Sequence, residues 1–287
     1  MSEITQELAD LAILLFAISS MFGMGLDLTM RQIFEPLRRW GLVARALIAN
    51  FVLVPLIAYL ISLIIQLSEA QTIGLVLMAS AAGAPFFPKL AQISKGDVAL
   101  SVGLMALMTT VTIVFVPLAL PLLLPGIQVD ALSVAQTLGL FVLLPLAVGV
   151  FVKARYQSLA DSLQPLMAQA ATFSLMMAAV LLLVLNFENL VRALGTGVYL
   201  AAILFVAASF LVAYLLGGPG SDTRRTLGLG TAQRDISTAL LVASRNFDDP
   251  GVLVMILVGS LVMLVGLMVV AGEIGKRSQA VALVEDA

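Results

Sequence analysis

Nine long apolar runs constrain the fold of this chain more than any other feature. Each run approaches the roughly 20 residues that a helix needs to cross the hydrocarbon core of a bilayer. Hydrophobic residues make up 61% of the chain and charged residues 11%, against roughly 45–50% and about 25% in soluble domains. We therefore expect an all-α polytopic membrane protein with nine transmembrane helices. They lie near residues 8–29, 41–66, 73–95, 98–124, 132–152, 163–186, 194–216, 226–245 and 250–271.

The composition excludes several kinds of chemistry. The chain has no cysteine and no histidine, so disulfides, thiolate metal sites and imidazole catalysis are absent. We expect no cofactor, no metal site, no nucleic-acid partner and no enzymatic activity. An intramembrane aspartyl protease would need two facing carboxylates, and Asp27, its one possible partner for Asp235, lies too near the membrane surface. A channel is a further alternative, but it would present rings of like groups around a pore.

The loops differ strongly in positive charge. Only Arg192 and Arg245 lie in loops on one predicted side of the membrane, whereas the basic residues of the other loops lie on the opposite side. By the positive-inside rule, the N-terminus is outside and the C-terminus, with a tail over residues 272–287, is cytoplasmic. We expect residues 1–287 to form a single transmembrane domain that contacts membrane lipid.

Two of the predicted helices cannot be continuous. The third contains Gly83-Ala-Pro-Phe-Phe-Pro-Lys89, where two prolines remove backbone donors and clash with the preceding turn. The eighth contains Gly228-Leu-Gly-Thr-Ala-Gln-Arg-Asp235, a glycine-weakened stretch with a guanidinium and a carboxylate. Each is followed by a charged turn and a further span, so the chain looks like two inverted repeats. Interrupted helices at matching positions of inverted repeats indicate a transport site near the bilayer midplane.

Four segments, together with the two broken helices, resemble the bile acid:sodium symporter family along essentially the whole chain. They are Phe22-Gly-Met-Gly-Leu-Asp-Leu-Thr29, Ala49-Asn-Phe-Val-Leu-Val-Pro55, Lys95-Gly-Asp-Val-Ala-Leu-Ser101 and the segment around Gln233. The resemblance implies a bacterial inner (plasma) membrane protein built from a core and a panel, here without the family's first helix. It assigns residues 8–29 and 132–186 to the panel and residues 41–124 and 194–271 to the core. An arsenite permease is a closer alternative than a channel. Arsenite permeases resemble a pattern that contains cysteine, however, and this chain has no cysteine.

The resemblance also implies positions for sodium ligands. Asn50 stands where a glutamine of the preceding helix is expected, Ser101 keeps a hydroxyl, and Gln233 keeps a glutamine of the second broken helix. Other expected ligands are replaced by side chains without suitable oxygens, which makes the implied sodium site degenerate, since Na⁺ needs several hard oxygen ligands. These positions are Phe87, Pro88, Met105 and Leu229.

Lys89 and Arg234 add positive charge close to the implied ion sites. A charge at the centre of a membrane helix costs roughly 2.5–3.5 kcal/mol, so these charges need pairing or water, and Asp235 is one possible partner. Either the pair only ties the broken helices together, or the surplus cation attracts a substrate carboxylate or sulfonate. We therefore predict a secondary transporter for a small organic anion that is sodium-independent or proton-linked. The alternative is a conventional sodium-coupled organic anion symporter.

Overall fold

The computed structural model describes residues 2–29, 39–124 and 130–285, with side chains described for 4–29, 39–124 and 130–278. These parts of the chain form helices and connecting turns, and no strand occurs among them. The helices are α1 (Ser2–Asp27), α2 (Trp40–Ile65), α3 (Glu69–Ser80), α4 (Phe87–Ile93), α5 (Val98–Leu123), α6 (Ala131–Arg155), α7 (Gln157–Leu185), α8 (Phe187–Ala193), α9 (Val198–Leu216), α10 (Ser221–Ala232), α11 (Ile236–Asn246) and α12 (Pro250–Glu285).

Seven of these helices are long and apolar enough to cross a membrane: α1, α2, α5, α6, α7, α9 and α12. They establish an all-helical, multi-pass membrane protein. The predicted runs 73–95 and 226–245 each contain two shorter helices, α3 with α4 and α10 with α11. The last helix continues past the predicted boundary at residue 271, so residues 272–285 extend α12.

Two of the long helices contain a wide π turn with the same local sequence. Residues Ala49–Leu53 in α2 and Gly139–Leu143 in α6 are π-helical. Each turn contains Phe-Val-Leu and is followed, after one more residue, by Pro55 or Pro145. Proline lacks an N–H and its ring clashes with the carbonyl four residues earlier, and the wider turn relieves that clash. The first π turn contains Asn50, so the local sequence also determines how this amide is presented to its neighbours.

The helices pack in two groups joined by α5 and α11. Helices α1, α6 and α7 pack against one another, and α3, α9, α10 and α12 form a second group with α2. Helix α5 contacts α3 and α4 on one side and α6 on the other. Of the half-helices, α3, α4 and α10 pack within the second group, whereas α11 contacts α1 and α6 of the first group as well as α3 and α12. The interruptions are therefore enclosed by protein.

Candidate functional site

The two helix interruptions meet each other. The first covers residues 81–86 between α3 and α4, and the second covers residues 233–235 between α10 and α11. The backbone N–H of Asp235 donates a hydrogen bond of 2.9 Å to the carbonyl of Ala81. The structure thus interrupts the first helix at Gly83 and Pro85, as predicted, whereas the second break follows the helical glycines and lies at the end of the predicted stretch. It brings the two unwound backbones into direct contact.

Two threonines of α5 hold the first interruption. Thr109 Oγ1 donates to the carbonyl of Gly83 at 2.8 Å. Thr112 Oγ1 donates to the carbonyl of Ala82 at 3.0 Å and accepts from the N–H of the same residue at 3.0 Å. Backbone groups inside a membrane need such partners because no water is available in the hydrocarbon region. The hydroxyls of α5 therefore stabilise the unwound segment.

Replacing Gly83 by alanine is expected to destabilise the protein strongly. Gly83 has a φ of +94°, and a Cβ there would collide with Thr109, so the substitution adds backbone strain and a steric clash. We expect the free energy of unfolding to fall by at least about 2 kcal/mol, measured by thermal unfolding in detergent. Gly266→Ala is the control, because a Cβ at that α12 glycine meets no atom within 4 Å. Equal stability of the two variants would contradict this interpretation.

Asp235 caps the second half-helix rather than pairing with a cation. Its carboxylate accepts from the backbone N–H groups of Ser237 at 3.1 Å and Thr238 at 3.3 Å, and from both hydroxyls, that of Thr238 at 2.6 Å. The ion pairs found between described residues include neither Asp235 nor Arg234. The interpretation in which Asp235 neutralises Lys89 or Arg234 is therefore contradicted. The capping groups compensate the carboxylate instead.

Arg234 is completely buried, at 0% exposure, and its guanidinium is held by neutral oxygens. Nη1 donates to the carbonyl of Ala79 at 3.1 Å, and Nη2 donates to Asn50 Oδ1 at 3.0 Å and to the carbonyl of Thr231. Ala79 and Thr231 lie in the last turns of α3 and α10. The C-terminal end of a helix carries partial negative charge, so two half-helix ends face this cation.

Asn50 connects this arrangement to α2. Its Nδ2 donates to Thr231 Oγ1 at 2.9 Å and to the carbonyl of Ala46 at 2.9 Å, which leaves Oδ1 pointing at Arg234. Gln233, next to Arg234, is 3% exposed, and its Oε1 has no partner among the described residues. Of the three residues implied as sodium ligands, Gln233 lies in the second interruption and Asn50 contacts it from α2. The Oδ1 of Asn50 is already bound to the guanidinium of Arg234.

The remaining predicted site residues lie in different environments. Lys89 is exposed, and its Nζ donates to Gln92 at 3.1 Å, so it is not a buried charge of the interruption. Pro88 lies in the first turn of α4. Ser101 donates to the carbonyl of Val98 at 2.6 Å in the first turn of α5. It precedes Thr109 by eight residues, about 12 Å along a helix, so the structure does not bring it to the interruptions.

Apolar side chains occupy the positions where the family resemblance implies sodium ligands. Phe87, Met105 and Leu229 are all buried. The ring of Phe87 lies directly against Gly230, where any Cβ would collide with it. This close contact between α4 and α10 leaves no room for a hydrated ion between Phe87 and Gly230.

The sequence interpretation missed Thr109, Thr112 and Thr231, which make the hydroxyl contacts of the site. The sequence feature that could have indicated the two threonines of α5 is the run Thr109-Thr-Val-Thr112 inside an otherwise apolar helix. Several hydroxyls on one membrane helix indicate a backbone or ligand that needs donors.

Removing the Ser101 hydroxyl is expected to have no effect, whereas removing that of Thr112 is expected to be costly. Ser101→Ala loses only a bond within its own turn, so the free energy of unfolding should change by less than about 0.5 kcal/mol. Thr112→Val keeps the shape but leaves both backbone groups of Ala82 unpaired, at a cost of about 1–3 kcal/mol. Thermal unfolding of the two variants in detergent measures these changes in the free energy of unfolding. A larger effect of Ser101→Ala would contradict the placement.

A cavity of about 370 Å³ lies between α5, α6 and the segment that follows α1. Leu28, Ala106, Val150 and Phe151 line it, and Thr110 is the one polar residue of its lining. A cavity of this size accommodates a small ligand, and its walls favour an apolar ligand body.

Interrupted helices inside a membrane protein occur where the backbone lines a cavity or a path for solute, so this architecture is typical of membrane transporters. Residues 12–193 match the model of the sodium bile acid symporter family. Because this match covers more than half of the chain, the chain belongs to that family. The predicted resemblance is confirmed, and the family is one of transporters rather than enzymes. The second interruption lies outside the matched residues.

Several curated plant proteins are similar to this chain. The probable sodium/metabolite cotransporter BASS3, chloroplastic, of Arabidopsis thaliana is 26% identical over 231 residues, which cover 78% of this chain and 54% of that protein. BASS2, chloroplastic, of Oryza sativa subsp. japonica, with the same description, is 29% identical over 238 residues, or 80% and 56% of the two chains. The chain thus spans little more than half the length of these relatives.

Proposed function

We propose that this chain is a secondary transporter that moves a small organic anion across a bacterial inner (plasma) membrane by alternating access, without sodium or linked to protons. The observation that carries this proposal is the buried guanidinium of Arg234, held by carbonyls at the C-terminal ends of α3 and α10 and by Asn50.

The guanidinium replaces a mobile cation in this proposal. Half-helix C-termini and unwound carbonyls are the groups with which transporters coordinate sodium or protons, and here a tethered cation already occupies such groups. The charge costs roughly 2.5–3.5 kcal/mol in a membrane helix, and the two helix ends and the Asn50 amide offset part of this cost. A tethered cation does not cross the membrane, so it couples no sodium gradient to transport.

The proposed architecture has nine crossings, with α3–α4 and α10–α11 each counted as one. The charge difference between the loops supports an outside N-terminus and a cytoplasmic C-terminus. Inverted repeats account for two interrupted helices that are each followed by a further span. We call α1, α6 and α7 the panel and the remaining helices the core, a division supported by the packing in two groups.

The substrate in this proposal is an anion with an apolar body. The cavity between α5, α6 and the segment that follows α1 is lined almost entirely by apolar side chains, and Lys89 supplies an exposed positive charge that no carboxylate among the described residues neutralises. The unpaired Oε1 of Gln233 is a further group of the proposed site.

A conventional sodium-coupled symporter is the second candidate. The printed names of the plant relatives, probable sodium/metabolite cotransporters, favour it. Asn50 and Gln233 provide amide oxygens, although Asn50 Oδ1 accepts from Arg234. Under this alternative, sodium is needed for substrate binding.

A thermal-shift screen of organic carboxylates and sulfonates, in sodium chloride and in choline chloride, separates the candidates. A ligand at 100 times its Kd stabilises the folded state by about 2.7 kcal/mol. We expect at least one anion to raise the Tm equally in both salts, and its uptake into proteoliposomes to persist in choline. Stabilisation only in sodium would support the second candidate. Stabilisation by neutral or cationic solutes alone would overturn the proposed anion.

A further inference from the structure

The end of α11 contacts the panel at a site remote from the interruptions. Asn246, the last residue of α11, accepts through its Oδ1 a hydrogen bond of 2.9 Å from the hydroxyl of Ser133 on α6. The neighbouring guanidinium of Arg245 lies over the ring of Phe141 on α6, 5.7 Å from its centroid. Two adjacent residues of the core therefore contact α6 of the panel.

The cavity lies towards the opposite end of the same panel helix. Ser133 is in the first turn of α6, whereas Val150 and Phe151, which line the cavity, are near its last turn. Seventeen residues separate Ser133 from Val150, which corresponds to about 25 Å along a helix. The polar contacts between panel and core thus lie at one end of α6, and the cavity lies towards the other end.

We propose that Arg245 and Asn246 form a gate latch, meaning a pair of contacts that holds the panel against the core at this end of the protein. The latch is closed in the conformation seen here. It must break in the other conformation of alternating access, in which this end opens. This inference rests on the proposed alternating access, but not on the identity of substrate or ion. Helix α11 runs from the Asp235 cap to the latch, so a rearrangement at the interruptions moves the latch directly.

The contacts of the latch are weak enough to break and re-form during transport. Arg245 is exposed and Asn246 and Ser133 are half-buried, so water replaces each contact when it opens. A cation–π contact or hydrogen bond at an exposed site is weak, and weak contacts let the two conformations interconvert. Beneath them lie Val242 and Val134, both fully buried, which become accessible only when the latch end opens.

The test measures how often the latch end opens, without any substrate. The natural chain has no cysteine, so Val242→Cys provides a single reporter whose rate of modification by a membrane-impermeant maleimide follows the open population. We expect the double substitution Arg245→Ala and Asn246→Ala to raise this rate about fivefold or more, because the closed conformation loses its contacts. The measurement uses the purified full-length chain.

Two controls make the outcome specific. Arg192→Ala removes another exposed arginine, whose partner Glu188 lies on its own helix, and should leave the Val242→Cys rate unchanged. A reporter at the buried Val258 of α12 should label at the same rate with and without the latch substitutions, since a rise there would show general loosening and overturn the proposal. An unchanged Val242→Cys rate in the latch variant would also overturn it.

A second variant keeps the proposal testable if the latch substitutions prevent folding. In a chain with Ser133→Cys, Asn246→Cys and the Val242→Cys reporter, a short bifunctional thiosulfonate should link positions 133 and 246. We expect the link to reduce reporter labelling to the background rate, and a reductant to restore it. Continued labelling of the linked protein would contradict a latch at this position. Failure of every anion in the thermal-shift screen would leave these labelling results unaffected, so the two proposals fail separately.

Discussion

Replacing Arg234 by alanine is expected to abolish transport and to lower the free energy of unfolding by about 3 kcal/mol or more. The substitution leaves the carbonyls of Ala79 and Thr231 and the Oδ1 of Asn50 without their donor. Each buried acceptor left unpaired costs about 1–3 kcal/mol. The two half-helices and α2 also lose the side chain that joins them. Thermal unfolding and uptake of an anion found in the binding screen measure the two effects.

Two further variants define the role of this guanidinium. Arg234→Lys keeps the charge but replaces a planar fork by a single ammonium, so we expect partial stability and reduced uptake. Arg192→Ala removes an exposed arginine, and exposed ion pairs contribute at most about 1 kcal/mol. If Arg234→Ala were as stable and active as Arg192→Ala, the guanidinium would have no structural or transport role.

Replacing Asp235 by alanine is the second change with a large expected effect. Four donors from Ser237 and Thr238 would lose their acceptor in a buried environment, since Asp235 is 1% exposed. Loss of a helix N-cap costs about 0.5–2 kcal/mol, and the orphaned hydroxyls add to this. We expect the unfolding free energy to fall by about 2–4 kcal/mol in total, measured by thermal unfolding.

Asp249 offers a matched control for this prediction. It also accepts from a backbone N–H at the start of a helix, that of Gly251 at 2.8 Å, but it is exposed. Asp249→Ala should therefore cost about 1 kcal/mol, and Asp235→Asn, which keeps one acceptor oxygen, should fall between the two. If Asp235→Ala cost no more than Asp249→Ala, burial would not be the reason for its effect.

The fold and the interruptions followed from the sequence because their causes are local. Long apolar runs force helices in a bilayer, and Pro85 prevents a continuous helix at the first interruption. The second interruption lies just after the helical glycines of α10. The partners of Arg234 and Asp235 did not follow, although the two residues are adjacent. Gln233 and Asp235 have extended backbone angles, and side chains alternate in direction along extended backbone. Arg234 therefore points back to the ends of α3 and α10, whereas Asp235 points forward into α11.

The position of the hydroxyl groups also depends on packing rather than on local sequence. The resemblance to the family selected Ser101, but Thr109 and Thr112, two to three helical turns further on, contact the first interruption. Helix α4 and the turn that follows it determine the position of α5 along its own axis. This position decides which turn of α5 lies beside the interruption. A single sequence does not contain this information.

Binding of radioactive sodium to the purified protein tests most directly whether a tethered guanidinium has replaced the mobile cation. The measurement uses the full-length chain in detergent, with excess unlabelled sodium as competitor and choline as the supporting cation. It is repeated in the presence of any anion that raised the Tm. We predict no saturable sodium binding under either condition. Saturable binding that unlabelled sodium displaces would contradict the replacement and support a sodium-coupled symporter.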